Sequence, residues 1–203
     1  APGTGKSWRI KNDTQGMSVL RTTFHTDSDY STFVGAYKPS MEADEYDTVV
    51  TTGERSPGGN ISKKDGLVRQ KRIVYKFVAQ AFLKAYVAAW KKMADAADGG
   101  QGAARPTVCL VIEEINRGNC AQIFGDLFQL LDRDDYGFSD YEIAADEDLR
   151  RYLAEAFKGV RGADAQERVP PEIAEKLERI FKGEILLLPP NLYIWATMNT
   201  SDQ

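Results

Sequence analysis

The first eight residues, APGTGKSW, contain the residue types that bind a phosphate group. Lys6 and Ser7 end a pattern of the form G-x-x-x-x-G-K-[ST], whose first glycine would stand one position before Ala1. In such a loop, backbone N–H groups at a helix N-terminus point into a concavity, and glycines let the phosphate approach closely. The lysine reaches the β- and γ-phosphates, and the hydroxyl binds Mg²⁺. The residues expected to contact a nucleotide are Pro2, Gly3, Thr4, Gly5, Lys6, Ser7 and Trp8.

Two adjacent carboxylates follow a continuous apolar run, TVCLVIEE, at residues 107–114. Such a run is typical of a strand that is buried on both faces. Phosphoryl transfer to water needs an acid that holds the magnesium shell and a base that orients the water. We therefore predict Glu113 as the metal acid and Glu114 as the base. Without the PGTGKS loop, two solvated carboxylates at a strand end would be the simpler interpretation.

A third polar residue, Asn199, follows the apolar segment LYIWATM. Its side chain at that strand end can lie between the γ-phosphate and the attacking water. The string NTSD is also good turn chemistry, so a turn-forming asparagine is an equal alternative.

The elements that must position these residues alternate along the chain. We predict a short helix that Gly16 ends, and a strand at residues 18–25. Long surface loops follow, with one mobile hairpin near residues 48–52, and then an amphipathic helix at 73–93. After the strand at 107–114, the segment NCAQIFGDLFQLLDR predicts a helix whose apolar face holds Ile123, Leu127, Leu130 and Leu131.

The remaining third of the chain holds a charged segment, 134–183, that we interpret as an insertion with two helices, DEDLRRYLAEAFKG and PPEIAEKLERIFKG. An edge strand, a Pro-Pro turn and a second buried strand that ends at Thr197 follow it. Buried strands that alternate with helices predict an α/β fold with a parallel sheet flanked by helices.

Composition excludes several classes of protein. The chain has 203 residues, of which 26 are basic and 30 acidic, with a formal net charge of −4, so a nucleic-acid-binding surface is not expected. No segment is long and apolar enough to span a membrane. His25 is the sole histidine, which rules out a histidine-based metal site. The two cysteines, Cys109 and Cys120, lack metal-binding spacing and favour a reduced, cytoplasmic protein.

Four stretches together resemble the McrB-like branch of the AAA+ nucleotidases, the GTP-hydrolysing motors of modification-dependent restriction systems. They are APGTGKS, TTFHTDSDYSTFVGAYKP, VIEEINRGNCAQIFGDLFQLLD and PPNLYIWATMNTSD. EINRGN and MNTSD are the distinctive strings, and the match is weakest at 41–70 and 134–183. The resemblance implies that residues 1–203 are the core of a P-loop NTPase fold. Its first strand and its C-terminal helical lid would then lie outside the chain.

The resemblance also implies roles for individual residues. Lys6 and Ser7 match the phosphate- and magnesium-binding positions, and Glu113 and Glu114 match the Walker B acid and the catalytic base. Asn199 matches the sensor asparagine.

Three further positions match the branch motifs. Asp202 is the acid of the MNTxD string. Asn116 and Arg117, in EINR, would face a neighbouring subunit or support the catalytic base; an exposed, salt-bridged arginine is the alternative. Two positions depart from the pattern, because Glu113 stands where most P-loop enzymes have Asp and Gln203 stands where McrB often has Arg.

The function that these observations predict is Mg²⁺-dependent hydrolysis of ATP or GTP by a ring, expected to be a hexamer, that drives an McrC-like nuclease partner. Contact with DNA would be indirect, and no membrane would be involved. Three alternatives stay open: a nucleotide-gated scaffold that scarcely hydrolyses, a protein-remodelling ATPase of the MoxR type, and direct binding of nucleic acid. The choice between ATP and GTP also stays open, because the motif residues contact phosphate and magnesium rather than the base.

Overall fold

A computed structural model of the chain describes residues 6–43, 48–55, 61–68, 71–95 and 106–199. The strands are β1 (Ser18–Thr23), β2 (Gly35–Ala43), β3 (Thr48–Arg55), β4 (Ile61–Val68), β5 (Lys71–Ala79), β6 (Val108–Glu113), β7 (Ile143–Ala144), β8 (Ile185–Leu186) and β9 (Leu192–Ala196). The α-helices are α1 (Lys6–Asp13), α2 (Tyr30–Phe33), α3 (Ala81–Asp95), α4 (Cys120–Phe124), α5 (Glu147–Ala156), α6 (Gly162–Gln166), α7 (Pro171–Ala174) and α8 (Leu177–Phe181). Two 3₁₀ helices span Ile115–Arg117 and Gly125–Leu131. The chain falls into two compact units, one formed by Ala1–Ala36 and Ala79–Gln203, the other by Tyr37–Val78.

The larger unit is built on a parallel sheet with the strand order β1-β6-β9. The central strand, β6, has Val108 through Ile112 fully buried, because helices and loops cover both of its faces. Thr23 of β1 pairs with Glu113, and Ala196 of β9 pairs with Ile112. The predicted buried strand and the predicted parallel α/β sheet flanked by helices are confirmed.

Helix α3 packs against this sheet with its apolar stripe. Phe82, Tyr86 and Trp90 are fully buried, and the Trp90 indole Nε1 donates a hydrogen bond to the Leu187 carbonyl at 2.9 Å. The buried Asn191 amide Nδ2 donates to the carbonyl oxygens of Ala89 and Pro106, at 3.0 and 3.1 Å. These bonds attach the helix to the segment that leads into β9.

The predicted helix at 73–93 is wrong in its first part, because residues 73–79 belong to strand β5 and the helix begins at Ala81. Ile73 and Phe77 fit a helical spacing, but residues 73–78 are mostly β-branched or aromatic, which favours a pleated strand. At Gln80 the backbone N–H leaves the strand pattern and donates to the Val34 carbonyl at 2.8 Å.

The predicted long loops are also wrong over much of their length, since α2 and strands β2, β3 and β4 lie within them. The hairpin expected near residues 48–52 is present, because β3 pairs antiparallel with β4 from Thr48↔Val68 to Arg55↔Ile61. In the smaller unit β2 pairs with β5, and the Tyr37 and Phe77 rings lie edge to face with centroids 5.8 Å apart. Pairing between strands satisfies the backbone N–H and C=O groups of these segments, although their Gly, Ser and Pro residues give only a weak strand signal.

The segment predicted as one helix after β6 forms two shorter ones, α4 and the 3₁₀ helix Gly125–Leu131, because Gly125 adopts a positive φ of 53° between them. Ile123, Leu127 and Leu130 are buried as expected, whereas Leu131 is only partly buried.

In the charged segment, the first predicted helix is present as α5, which Asp146 caps by accepting from the Leu149 N–H at 2.8 Å. The second predicted helix is broken into α7 and α8. The expected edge strand, β8, pairs antiparallel with β7 and lies outside the parallel sheet.

Strand β9 was predicted to be buried, and this is wrong for most of its residues. It lies at the edge of the sheet formed by the described strands, so Leu192 is buried whereas Tyr193 is 50% exposed.

Candidate functional site

The two predicted carboxylates lie where the parallel strands end. Glu113 is the last residue of β6, and its carbonyl accepts from the Phe24 N–H, just beyond β1, at 2.9 Å. On the other side, the Thr197 N–H donates to the Ile112 carbonyl at 2.8 Å, and the Ile115 N–H donates to the Thr197 carbonyl at 2.9 Å. The carboxyl ends of the strands in open α/β sheets are where such folds bind ligands. Both carboxylates thus lie at the carboxyl end of the central strand, the end at which such a sheet can bind a ligand.

Glu113 forms an ion pair with Arg21 of the neighbouring strand β1. Nη1 of Arg21 lies 3.0 Å from Oε1 of Glu113, and the two side chains are 39% and 35% exposed. The second carboxylate oxygen, Oε2, forms no hydrogen bond with any of the described residues. The Glu113 carboxylate thus reaches towards the adjacent strand β1.

Glu114 has a left-handed backbone conformation, with φ 56° and ψ 43°, and is the one non-glycine residue with positive φ in the described part of the chain. Its carboxylate Oε2 lies 3.1 Å from Nε of Arg117. Its N–H points to Oγ1 of Thr197 at 3.4 Å. The left-handed backbone conformation costs a residue that has a side chain about 1–2 kcal/mol of conformational free energy. Such strain is concentrated at functional sites.

Asn116 and Asn199, predicted separately, are brought together. The Asn116 amide Nδ2 donates to the Asn199 carbonyl at 3.0 Å, and the Asn116 Oδ1 accepts from the Asn199 N–H at 3.3 Å. Arg117 forms an ion pair with Glu114 of its own chain, a contact that fits a supporting role and an exposed, salt-bridged arginine equally. The turn after β6 and the segment after β9 are joined into one structure.

Helix α1 lies over the same sheet. Ile10 belongs to a buried cluster with Cys109 and Val111 of β6, and Trp195 of β9 packs against that cluster. Burial raises the pKa of the Cys109 thiol, which keeps it in the neutral form that suits this apolar position.

A cleft of about 560 Å³ opens between α1 and the end of β9. Its lining residues are Arg9, Ile10, Asp13, Trp195, Ala196, Thr197 and Met198. Thr197 lines the cleft and also contacts the Glu114 turn, so α1 and that turn border the same region.

Several predicted residues cannot be placed as side chains. Residues 1–5 lie outside the described residues, as do Asp202 and Gln203, and the side chains of Lys6 and Ser7 are also outside them. Lys6 opens α1, and Trp8 is 69% exposed. The nucleotide-binding set therefore stays a prediction.

Sequence reasoning missed two contacts at this edge of the sheet. One is Arg21, the charged residue in the strand SVLRTT, whose position among apolar and β-branched residues was the available signal. The other is Thr197, which the sequence marks only as the end of a strand.

Asp29, beyond the end of β1, forms a capping box for α2. Its carboxylate accepts from the Ser31 hydroxyl at 2.7 Å and from the Thr32 N–H at 2.9 Å, and these two bonds hold the pKa of Asp29 below its ordinary value. Burial, with smaller effects of Asp146 and Asp126, raises the pKa of the next residue, Tyr30, to about 12. The turn that follows β1 is thus ordered by a short carboxylate network.

The fit of these carboxylates to magnesium depends on how many ligands the protein must supply. No cluster of three or more His, Cys, Asp or Glu side chains that can hold a metal occurs among the described residues. Mg²⁺ keeps most of its waters and binds through one or two carboxylates together with substrate phosphates. One carboxylate with an unengaged oxygen, Glu113, matches that sparse requirement.

No helix in the described part of the chain is long and apolar enough to cross a membrane.

The fold and this site define an α/β protein with a parallel sheet, flanking helices and two carboxylates after its central strand. Comparison with known proteins adds one relative, the Type II restriction enzyme BsuMI component YdiS of Bacillus subtilis strain 168. The two are 32% identical over 214 residues, which cover 100% of this chain and 50% of that protein. No protein-family profile matches the chain. The chain is thus a homologue of half of a restriction-enzyme component.

Proposed function

We propose that this chain is the nucleotide-hydrolysing core of a restriction-system motor, a Mg²⁺-dependent nucleoside triphosphatase of the McrB-like AAA+ type. The observation that carries the proposal is the placement of α1, which begins at Lys6, on the sheet whose central strand ends at Glu113 and is directly followed by Glu114. A loop that binds phosphate before α1 would then lie near the carboxylates. The homology to a restriction-enzyme component supports the biological setting.

In this proposal the chain's own residues act mainly by position and charge. Lys6 would bind the β- and γ-phosphates, Ser7 and Glu113 would hold Mg²⁺ and its waters, and the metal would offset charge on the phosphates. Glu114 would accept a hydrogen bond from the attacking water and orient it. Asn199 would contact that water or the γ-phosphate.

Arg117 has a supporting part in this arrangement. Its Nε lies 3.1 Å from one carboxylate oxygen of Glu114. The left-handed backbone of Glu114 sets the direction in which that side chain leaves the turn. The second oxygen would then accept from water. Asn116 fixes the backbone of Asn199, so both strand ends keep one relative position.

The larger assembly belongs to the same proposal. We infer a ring of copies, expected to be a hexamer, that drives a nuclease partner, with DNA contacted through that partner. The relative is named as a component of a restriction enzyme, which supports a partner. The formal charge of −4 argues against direct binding of DNA by this region.

Phosphate release from ATP and from GTP by the full-length protein tests the proposal. Glu114→Gln should lower turnover by about 10²–10⁴-fold, because the base is removed while the shape of the side chain is retained. Glu147→Gln is the matched control, since Glu147 is exposed on α5 and pairs only with Arg151 among the contacts described. Turnover that survives Glu114→Gln, or no nucleotide binding at all, contradicts the proposal.

A second candidate function is a nucleotide-gated scaffold that binds nucleotide with little hydrolysis. The pairing of Glu113 with Arg21 favours it, because the arginine competes with a metal ion for that carboxylate. Tight binding of nucleotide without turnover, even with the nuclease partner present, would identify the scaffold. The same assay with both nucleotides decides between ATP and GTP.

A further inference from the structure

We propose that Arg21 is a positioning residue that sets how tightly the site binds a divalent cation. It orients Glu113 and weakens the affinity of the site for the free cation, so that the cation enters together with the nucleotide phosphates. This inference rests on the proposed function, since it concerns the same site.

The geometry of the two strands supports this role. Arg21 lies two residues before Thr23, the β1 partner of Glu113, and side chains two residues apart in a strand project to the same face. Arg21 pairs in register with Val111, so Glu113 lies diagonally across from it, a separation that these two long side chains bridge to bring their charged atoms within 3.0 Å. An aspartate at position 113 would be shorter by one methylene and would not reach Arg21 in the same way. The arginine and the unusual glutamate therefore form one unit.

The bond is also selective for one of the two carboxylate oxygens. Arg21 engages Oε1 and leaves Oε2 without a hydrogen bond among the described residues. An anchored Oε1 restricts the rotation of the carboxylate, which directs Oε2 away from β1. Oε2 is then the atom that can accept from a water of the metal shell.

Charge explains the effect on affinity. A guanidinium is a permanent cation, so the ion pair places a positive charge beside the Glu113 carboxylate. A divalent cation bound by Glu113 would lie within several ångströms of that charge, and at such a separation in a water-like dielectric the repulsion lowers affinity on the order of tenfold. The phosphates of a nucleotide supply enough negative charge to overcome this repulsion.

A purely structural role makes a different prediction. The pair is about one-third exposed on both sides, and such ion pairs contribute little to stability. If Arg21 only braced two strands, its loss would leave the dependence on the cation unchanged. The cation dependence is therefore the informative measurement.

The test uses the full-length protein and two binding measurements that do not require turnover. Electron paramagnetic resonance measures the binding of Mn²⁺ without nucleotide, and the fluorescence of a labelled ATP or GTP analogue measures nucleotide binding as Mg²⁺ is varied. The variants are Arg21→Gln, which removes the charge, Arg21→Lys, which keeps it, and Arg151→Gln, a control that breaks an exposed ion pair on α5.

We expect Arg21→Gln to bind Mn²⁺ about tenfold more tightly and to need about tenfold less Mg²⁺ for half-maximal nucleotide binding. Arg21→Lys and Arg151→Gln should behave like the wild type. Unchanged cation dependence in Arg21→Gln, or tightening in Arg21→Lys equal to that in Arg21→Gln, overturns the inference and leaves the proposed function standing. Absence of Mg²⁺-dependent nucleotide binding in every variant and in the wild type overturns both.

Discussion

Asn116 and Asn199 are joined by two reciprocal hydrogen bonds, in which one side-chain amide pairs with both backbone groups of the other residue. Asn116 follows the central strand, and Asn199 follows the strand beside it, 83 residues later. A side chain that satisfies a backbone N–H and a backbone C=O replaces the strand pairing that has ended by this point. The two strand ends therefore move together, and a displacement of one is transmitted to the other.

Substitution of Asn116 tests this coupling. We expect Asn116→Ala to lower nucleotide hydrolysis by about tenfold to a hundredfold, because small misplacements of catalytic groups have effects of that size. The free energy of unfolding should fall by only about 1 kcal/mol, since net hydrogen-bond contributions are modest at an exposed position. Hydrogen exchange of the Asn199 amide should accelerate in the variant. Unchanged protection of that amide would show that the bond does not hold the segment in solution.

The strained conformation of Glu114 separates stability from activity. Glycine adopts positive φ without strain, whereas alanine does not, so Glu114→Gly should be more stable than Glu114→Ala by about 1 kcal/mol. Both variants lack the carboxylate and should lose hydrolysis equally. Chemical denaturation gives the stability difference, and phosphate release gives the activity. Equal stability of the two variants would mean that the turn relaxes to another conformation when the side chain is removed.

Glu142 predicts a dependence of stability on pH. Its carboxylate lies 3.0 Å from Lys176 and 3.0 Å from Arg179. Burial raises the pKa of Glu142, but the hydrogen bonds and charges of these two residues outweigh it, and the net pKa is below its ordinary value of 4.5. A lowered pKa in the folded state means that the ionised carboxylate stabilises the fold above pH 4.5 and that this contribution is lost as pH falls through the folded-state pKa.

The difference in unfolding free energy between the wild type and Glu142→Gln should thus be on the order of 1 kcal/mol at pH 7, as for partly exposed ion pairs, and should shrink below pH 4.5. Denaturant titrations at several pH values measure it. Glu155→Gln is the control, because Glu155 forms one exposed pair with Lys158. A difference that is constant from pH 7 to pH 3 would contradict the role of the charge.

Two glycines in left-handed turns provide a matched test of packing after α5. A Cβ at Gly183 would lie 2.7 Å from the Arg150 carbonyl and 2.8 Å from Cβ of Leu153, whereas a Cβ at Gly159 would meet no atom within 4 Å. Both have positive φ, so each alanine variant loses about 1 kcal/mol through backbone strain. Gly183→Ala should lose about 1–3 kcal/mol more, through overpacking against a backbone that cannot yield. Equal midpoints of thermal unfolding for the two variants would show that α5 shifts to admit the methyl group.

Local sequence signals were sufficient for some elements and insufficient for others. The apolar run of β6 is recognisable alone, because a strand covered on both faces leaves no room for polar residues before Glu113. The helix prediction for residues 73–79 is wrong because apolar residues four positions apart fit both the helical period of about 3.6 and the strand period of about 2 in so short a segment. The polar strands β3 and β4 have a sequence that only weakly indicates a strand. Their pairing with each other, rather than their local sequence, stabilises them.

The candidate site shows the same division. Glu113 and Glu114 were predictable because they directly follow a recognisable strand. The partner of Glu113, Arg21, is 92 residues away in sequence, and the partner of Asn116 is 83 residues away. Such pairs depend on strand order and register, which no local pattern contains. Arg117 and Glu114, three residues apart, are the pair that local spacing can reveal.

The buried amide of Asn191 has a consequence for the order in which this chain folds. Its two donors reach Ala89 and Pro106, which are 102 and 85 residues earlier, and its own carbonyl accepts from the Val108 N–H. When synthesis has reached only β6, the carbonyl oxygens of Ala89 and Pro106 must accept hydrogen bonds from water. At that point β6 also lacks β9, one of its two neighbouring strands. Contacts of such long sequence separation form slowly, because the loop must close before they contribute. Synthesis of β9 is therefore the event that gives β6 its second neighbouring strand, and until then the apolar residues that β9 covers stay exposed.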